Sequence, residues 1–256
     1  IAGTHAQRGV SLFVVIVFVM LTMLLALWAS RTSYFNELVV GNDADYQRAF
    51  EAAQALLQDA ELDIGNVRAD GKACDEGGLP AGTSDRVCRR GSVYKTPLEA
   101  QEVGPLFVDL NAETTKCRNA LCVKRTGKQD FWNNSSTTAG ITFAQMKNIG
   151  AASGSDGVAA RYGQYTGAAI GSSTAPASAI LADRSSDTKG GWYWIEVLPY
   201  DETTKNSGLV VDGRGDLLPL NITPNIVYRI TAIAYGLKSS TMVVLQQTYA
   251  QQKQKD

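Results

Sequence analysis

The chain has 256 residues, 45% of them apolar, and its 24 basic and 25 acidic residues leave a net charge of −1. That size is enough for one globular domain with further elements, and the balanced charge offers no surplus of cations for a phosphate backbone, which argues against nucleic acid as a main partner. The single histidine, His5, precedes the first predicted element, and there is no P-loop, dinucleotide fingerprint or nucleophile elbow; the chain is therefore read as a non-enzyme with no catalytic residues, metal ligands or cofactors.

The chain opens on Ile1, so its start is expected upstream. Val10–Ala29 reads VSLFVVIVFVMLTMLLALWA, 20 residues without a charge, with Arg8 before it and Arg31 after it. That is the length a helix needs to cross a hydrocarbon core. A secretory signal peptide has a shorter apolar region followed by a small-residue cleavage site, and neither is present. Residues 10–29 are read as a membrane-spanning helix.

The helical pattern continues over residues 30–63. Phe35, Leu38, Val39, Tyr46, Ala49, Phe50, Ala53, Leu56, Leu57 and Ala60 recur at steps of three and four, with polar residues such as Asn36, Glu37, Gln47 and Glu51 between them. This is an amphipathic helix with one apolar stripe that needs a globular partner. Gly41 marks a point of expected flexibility or local melting. As one helix, residues 10–63 would be about 80 Å long at roughly 1.5 Å per residue.

Residues 64–190 are rich in Gly, Ser, Thr, Ala and Asp and show no long periodic element. Gly77-Gly78, Gly82, Gly104-Pro105 and Gly154 punctuate the stretch as turns, and it is read as a loop-rich insert. It holds the four cysteines, Cys74, Cys88, Cys117 and Cys122. An even count in an exported chain favours disulfides over a four-cysteine zinc site. Of the three connectivities, local pairing of Cys74 with Cys88 and Cys117 with Cys122 is the simplest.

Residues 191–256 change to a period of two. Tyr193, Ile195 and Val197 share one face of WYWIEVLP, Ile226, Tyr228, Ile230, Ala232 and Ala234 one face of the next run, and Val243, Leu245, Gln247 and Tyr249 one face of the last. Aromatic and β-branched alternation predicts strands, and Gly236–Ser240 a turn that makes the last two a hairpin. The expected sheet is an antiparallel meander with one packed and one wet face. The fold class is thus α+β, a long N-terminal helix packed on a C-terminal antiparallel sheet. Trp192 and Trp194 point away from Tyr193 and are either an exposed partner patch or covered by the insert. Asp201–Gly208 reads as a polar turn. Asp212–Asp216, which contains Arg-Gly-Asp, reads as a Gly-rich turn, because two carboxylates fall short of the six to eight oxygens calcium takes.

Three segments carry a family resemblance. Gln7-Arg8-Gly9 ahead of Val10-Ser11-Leu12 resembles a prepilin peptidase site; Gly41–Glu61 (GNDADYQRAFEAAQALLQDAE) resembles the continuation of a pilin helix; and Val227–Tyr249 resembles a pilin C-terminal hairpin. Together they resemble the PilX-type minor pilins of type IV pili. The resemblance implies a leader over residues 1–9, cleavage after Gly9 by prepilin peptidase and methylation of the new amine on Val10. It also implies an assembly core helix whose inward face includes Val14, Phe18, Leu21 and Leu25. The implied course is storage in the inner membrane, N-terminus cytoplasmic and C-terminal domain periplasmic, and then the fibre. The implied partners are other minor pilins, the major pilin, inner membrane lipid before assembly and a tip adhesin, with a role in adhesion and twitching motility.

Two residues depart from the family's usual pattern. Val10 stands where most pilins have phenylalanine. Val14, the fifth residue of the mature chain, stands where major pilins have a glutamate that meets the neighbouring subunit's amine. An ammonium left unpaired in an apolar core costs several kcal/mol, so a subunit with valine there is expected at the fibre tip, where no earlier amine awaits a partner. A type II secretion pseudopilin and a single-pass periplasmic enzyme or sensor are the alternatives.

Overall fold

The computed structural model describes residues 10–74, 86–90, 94–125, 127–148, 157–168, 178–199, 226–238 and 241–251. The leader with Gly9, the glycines at 77, 78, 82 and 154, the polar turns at 201–208 and 212–216, and Ser239 and Ser240 lie outside the described residues. Helix α1 (Val10–Ile64) is 55 residues long. Gly41 is helical within it, which corrects the expectation of local melting. One glycine costs about 1 kcal/mol, too little to interrupt a helix already propagating on both sides.

The chain forms two compact units, up to Asp45 and from Tyr46 onward. In the first, every residue from Ser11 to Val40 is exposed. The second is built on a five-stranded sheet in the order β1 (Cys117–Arg118), β2 (Leu121–Cys122), β3 (Gly191–Pro199), β4 (Ile226–Tyr235) and β5 (Met242–Tyr249). β3, β4 and β5 form the antiparallel meander, with Ile195 opposite Ile230 and Ala232 opposite Leu245. The connection from β4 to β5 runs from Gly236 to Thr241, closed by the Gly236 N–H donating to the Thr241 carbonyl at 2.8 Å. The insert adds β1 and β2, and β2 joins β3 in parallel, with Leu121 opposite Ile195.

The last third of α1 lies on one face of this sheet. Ala49, Ala52, Ala53, Leu56, Leu57, Ala60 and Ile64 are buried in one cluster with Tyr193, Ile195, Val197, Tyr228, Ile230, Ala232 and Ala234. Four alanines among the seven bring the helix backbone close to the strands. Gly191 completes the fit, since a Cβ there would stand 2.5 Å from Leu56 Cδ1.

The other face is covered, not wet, and this corrects the expected meander. Trp192, Trp194 and Ile233 pack beneath Phe131, Met146 and Ala159 of the insert, with Phe143 and Ile141 at the margin. The Phe131 ring meets Trp194 edge-on at 4.8 Å, and the Trp194 indole N–H donates to the Met146 carbonyl at 3.0 Å. Both tryptophans are buried. Indole rings side by side on a strand are too large an apolar surface to leave in water.

The insert also holds a helix that its composition hid. α2 (Ala100–Ala112) contains Gly104-Pro105, the pair read as a turn. Its start is fixed by Glu102, whose carboxylate accepts the N–H groups of Leu98 at 2.8 Å and Glu99 at 3.1 Å. Leu106 and Leu110, one turn apart, are buried and outweigh the single bond lost at the proline. Two short helices, α3 (Phe143–Met146) and α4 (Ala179–Ala182), are capped by the hydroxyls of Thr142 and Ser178.

Candidate assembly helix and its seat

From Val10 to Ser30 the helix carries no charge, and its polar side chains are hydroxyls. The Thr22 hydroxyl donates to the Val19 carbonyl at 2.9 Å, and Thr32 to Trp28 at 3.0 Å. A hydroxyl satisfied by its own helix can enter an apolar medium without an unpaired donor. Val14, Phe18, Leu21 and Leu25 follow one another at steps of four, three and four on one face, 42%, 64%, 50% and 64% exposed. The helix is described from Val10 onward. The geometry is that of a surface requiring an apolar partner along its length, lipid or other helices. Among the described residues, α1 is the one helix long and apolar enough to cross a membrane.

In the second unit, the C-terminal end of α1 is seated by buried polar contacts. The Asp63 carboxylate is gripped by the Arg89 guanidinium, Nε to Oδ1 at 2.6 Å and Nη2 to Oδ2 at 2.5 Å, with side chains only 2% and 3% exposed. The Tyr193 hydroxyl donates to Asp63 Oδ2 at 3.1 Å. The remaining Arg89 donors reach the carbonyls of Tyr94 at 2.8 Å and Asn119 at 2.9 Å, and its plane lies 4.0 Å over the Tyr165 ring. Burial opposes the arginine's charge, but Asp63 holds its pKa above the ordinary value. This is a buried pair with nearly every donor satisfied, the case in which the Coulomb gain offsets desolvation.

One turn earlier, Asp59 ties α1 to the 163–168 turn. Its carboxylate accepts the Gly163 N–H at 2.7 Å and the Thr166 hydroxyl. Gly163 has φ +73°, and a Cβ there would collide with the Ala168 carbonyl, so this turn requires glycine. Burial pushes the Asp59 carboxyl up to about 7, against the lowering effect of its two hydrogen bonds.

The cysteines form two disulfides, Cys74–Cys88 and Cys117–Cys122. The first stands beside Arg89. The second closes the β1–β2 hairpin, next to a second ionic cluster on the far face of the sheet. There Glu196 accepts from Arg229 Nε at 2.6 Å, while Arg125 Nη2 stays 3.8 Å from its other oxygen. Arg125 is lowered in pKa by burial, and Arg229 lowers it further.

A charge-free exposed helix continuous with an amphipathic stretch that packs on a largely antiparallel sheet defines a type IV pilin-like, membrane-anchored fibre subunit. Family models for the PilX N-terminal region and for the C-terminal region of type IV pilus assembly protein PilX match residues 8–58 and 118–251. The chain belongs to the PilX family of type IV pilus minor pilins, structural components of pilus assembly. No curated protein and no solved structure matches it.

Asp59, Asp63, Arg89 and Glu196 were not singled out from sequence. Asp59 and Asp63 left a signal, four residues apart on the buried side of an otherwise apolar stripe. Arg89 left none, since its role depends on a chain reversal 26 residues away. Residues 59–117, which hold Asp59, Asp63, Arg89 and α2, fall between the two matched regions.

Proposed function

We propose that this minor pilin primes fibre assembly together with other minor pilins, occupies the fibre tip, and supports adhesion and twitching motility there through a tip adhesin. The observation that carries the tip position is Val14: the fifth residue after Gly9 offers no carboxylate to a neighbour's amine, and no acidic residue lies anywhere between Val10 and Ser30. A shaft subunit lacking that carboxylate would leave an ammonium unpaired in the apolar fibre core, whereas the first subunit of a fibre would not.

In the same reading, prepilin peptidase cleaves after Gly9, the Val10 amine is methylated, and the subunit waits in the inner membrane with its C-terminal domain in the periplasm. Inner membrane lipid, and then the helices of the major pilin and other minor pilins, cover Val14, Phe18, Leu21 and Leu25. Mass spectrometry of membrane-extracted protein should find a mature chain beginning at a methylated Val10, and immunogold labelling of sheared fibres should find it at one end. A mature chain retaining Arg8 and Gly9 would make it a plain anchor, and even labelling along the shaft would remove the tip position.

A further inference from the structure

The Cys74–Cys88 bridge and the Asp63–Arg89 pair share adjacent residues, Cys88 and Arg89, and the backbone there is unusual. Cys88 and its neighbour Arg89 have φ of +63° and +45°, the left-handed region in which side chains are disfavoured. Among the described residues, the reversal is held by the disulfide to Cys74, by the Cys88 N–H donating to the Tyr165 carbonyl at 2.8 Å and by the Arg89 N–H donating to the Arg86 carbonyl at 2.9 Å; of these, the disulfide is the covalent tie. Cys74 is itself fixed to the end of α1, its N–H donating to the Asn66 carbonyl at 2.9 Å. The reversal aims Arg89 inward at Asp63, whose carboxylate, among the described residues, is otherwise met by one neutral donor, the Tyr193 hydroxyl.

We propose that the Cys74–Cys88 disulfide is an oxidation checkpoint for seating the assembly helix: its formation locks the left-handed turn that delivers Arg89 to Asp63. In the dithiol form the turn relaxes, Arg89 withdraws, and the α1 end must either bury an uncompensated carboxylate or lift off the sheet. Closing the checkpoint takes two electrons and two protons from the two thiols. A dithiol–disulfide exchange partner accepts them, passing through a mixed disulfide and leaving as its dithiol. The chain therefore stays unseated in a reducing compartment and seats once it reaches an oxidising one.

The test is a thermodynamic cycle on the full chain in detergent micelles, comparing C74S/C88S in the wild-type background with C74S/C88S in D63L/R89M. Loop entropy alone predicts that losing the bridge raises the unfolding constant about 100-fold in either background. The proposal predicts at least tenfold more in the wild-type background than in D63L/R89M. C117S/C122S should have the same effect in both. If C74S/C88S fails to fold in the wild-type background, it should fold once Asp63 and Arg89 are replaced; failure in both backgrounds overturns the proposal, as do equal effects. Hydrogen exchange gives an independent readout. In folded C74S/C88S, residues 59–64 and 163–167 should lose protection while 117–122 keep it, and unchanged protection at 59–64 overturns the proposal.

Discussion

The Cδ1 of Leu56 occupies the space that a Cβ on residue 191 would fill, 2.5 Å from that position. Helix and sheet are therefore set at a distance that a single methyl group disturbs. Gly191→Ala should cost about 1–3 kcal/mol by overpacking, since the same Cβ also meets the Ile233 carbonyl at 3.0 Å. Leu56→Ala should cost about 2–5 kcal/mol by leaving a cavity. The double variant should be more stable than the sum of the two losses, because each change relieves the other. Strictly additive losses in urea unfolding would disprove the contact.

Asp59 predicts a specific dependence on pH. Its folded pKa of about 7 lies above the unfolded value near 4. The folded state thus holds the extra proton between these values, and stability falls as pH rises through 7. The loss is on the order of 4 kcal/mol at most. Asp59→Asn should remove this slope between pH 5 and 8, since an amide can still accept from Gly163 while the Thr166 hydroxyl turns to accept from it. Unfolding at the two pH values checks it; a variant with the wild-type slope would show that another group titrates.

The two ends of the Glu196 cluster should respond unequally. Glu196→Gln takes from the buried Arg125 and the partly buried Arg229 the carboxylate they share and should cost about 3 kcal/mol. Arg125→Met removes the member with the longest ionic contact and should change stability by less than about 1 kcal/mol. Equal costs in chemical denaturation would mean that Arg125 and Glu196 are a tight pair after all.

Val14→Glu tests position in the fibre. A carboxylate at residue 14 supplies the group that shaft subunits use, so part of the variant should move from the fibre end into the shaft in immunogold images of sheared fibres. At the tip the new carboxyl can protonate in its apolar surroundings, so fibre number should fall only modestly. A variant that remains wholly at one end, with wild-type fibre numbers, would mean that residue 14 does not decide placement.

Periodicity made the 49–64 stretch of α1 and the β3–β5 meander legible, because the two faces that meet each other carry apolar residues at a regular repeat. The cover over Trp192 and Trp194 was not legible. Phe131, Ile141, Phe143 and Met146 are spread over sixteen polar-rich residues with no repeat, and only the folded chain brings them together. α2 was hidden by Gly104-Pro105, which reads as punctuation unless Glu102 is recognised as a cap. The charge-free, exposed stretch of α1 was legible, because an uncharged run needs no tertiary context to be recognised.

Glu61 near the end of α1 accepts a hydrogen bond from Gln247 on the last strand, 186 residues later in the chain. The order of synthesis is therefore the reverse of the order of need. The apolar stripe at 49–64 is made early, and the strands that shield it are made last. At 5–20 residues per second, the ribosome takes roughly 10–40 seconds to supply them. Throughout that interval the first quarter of the molecule offers a sticky ridge to any neighbour, and the final hairpin works as the clasp whose arrival ends the exposure. A truncation that removes only β5 would leave the nascent stripe without its last cover, and it should appear in the cell as turnover or aggregation before any defect in fibres is seen.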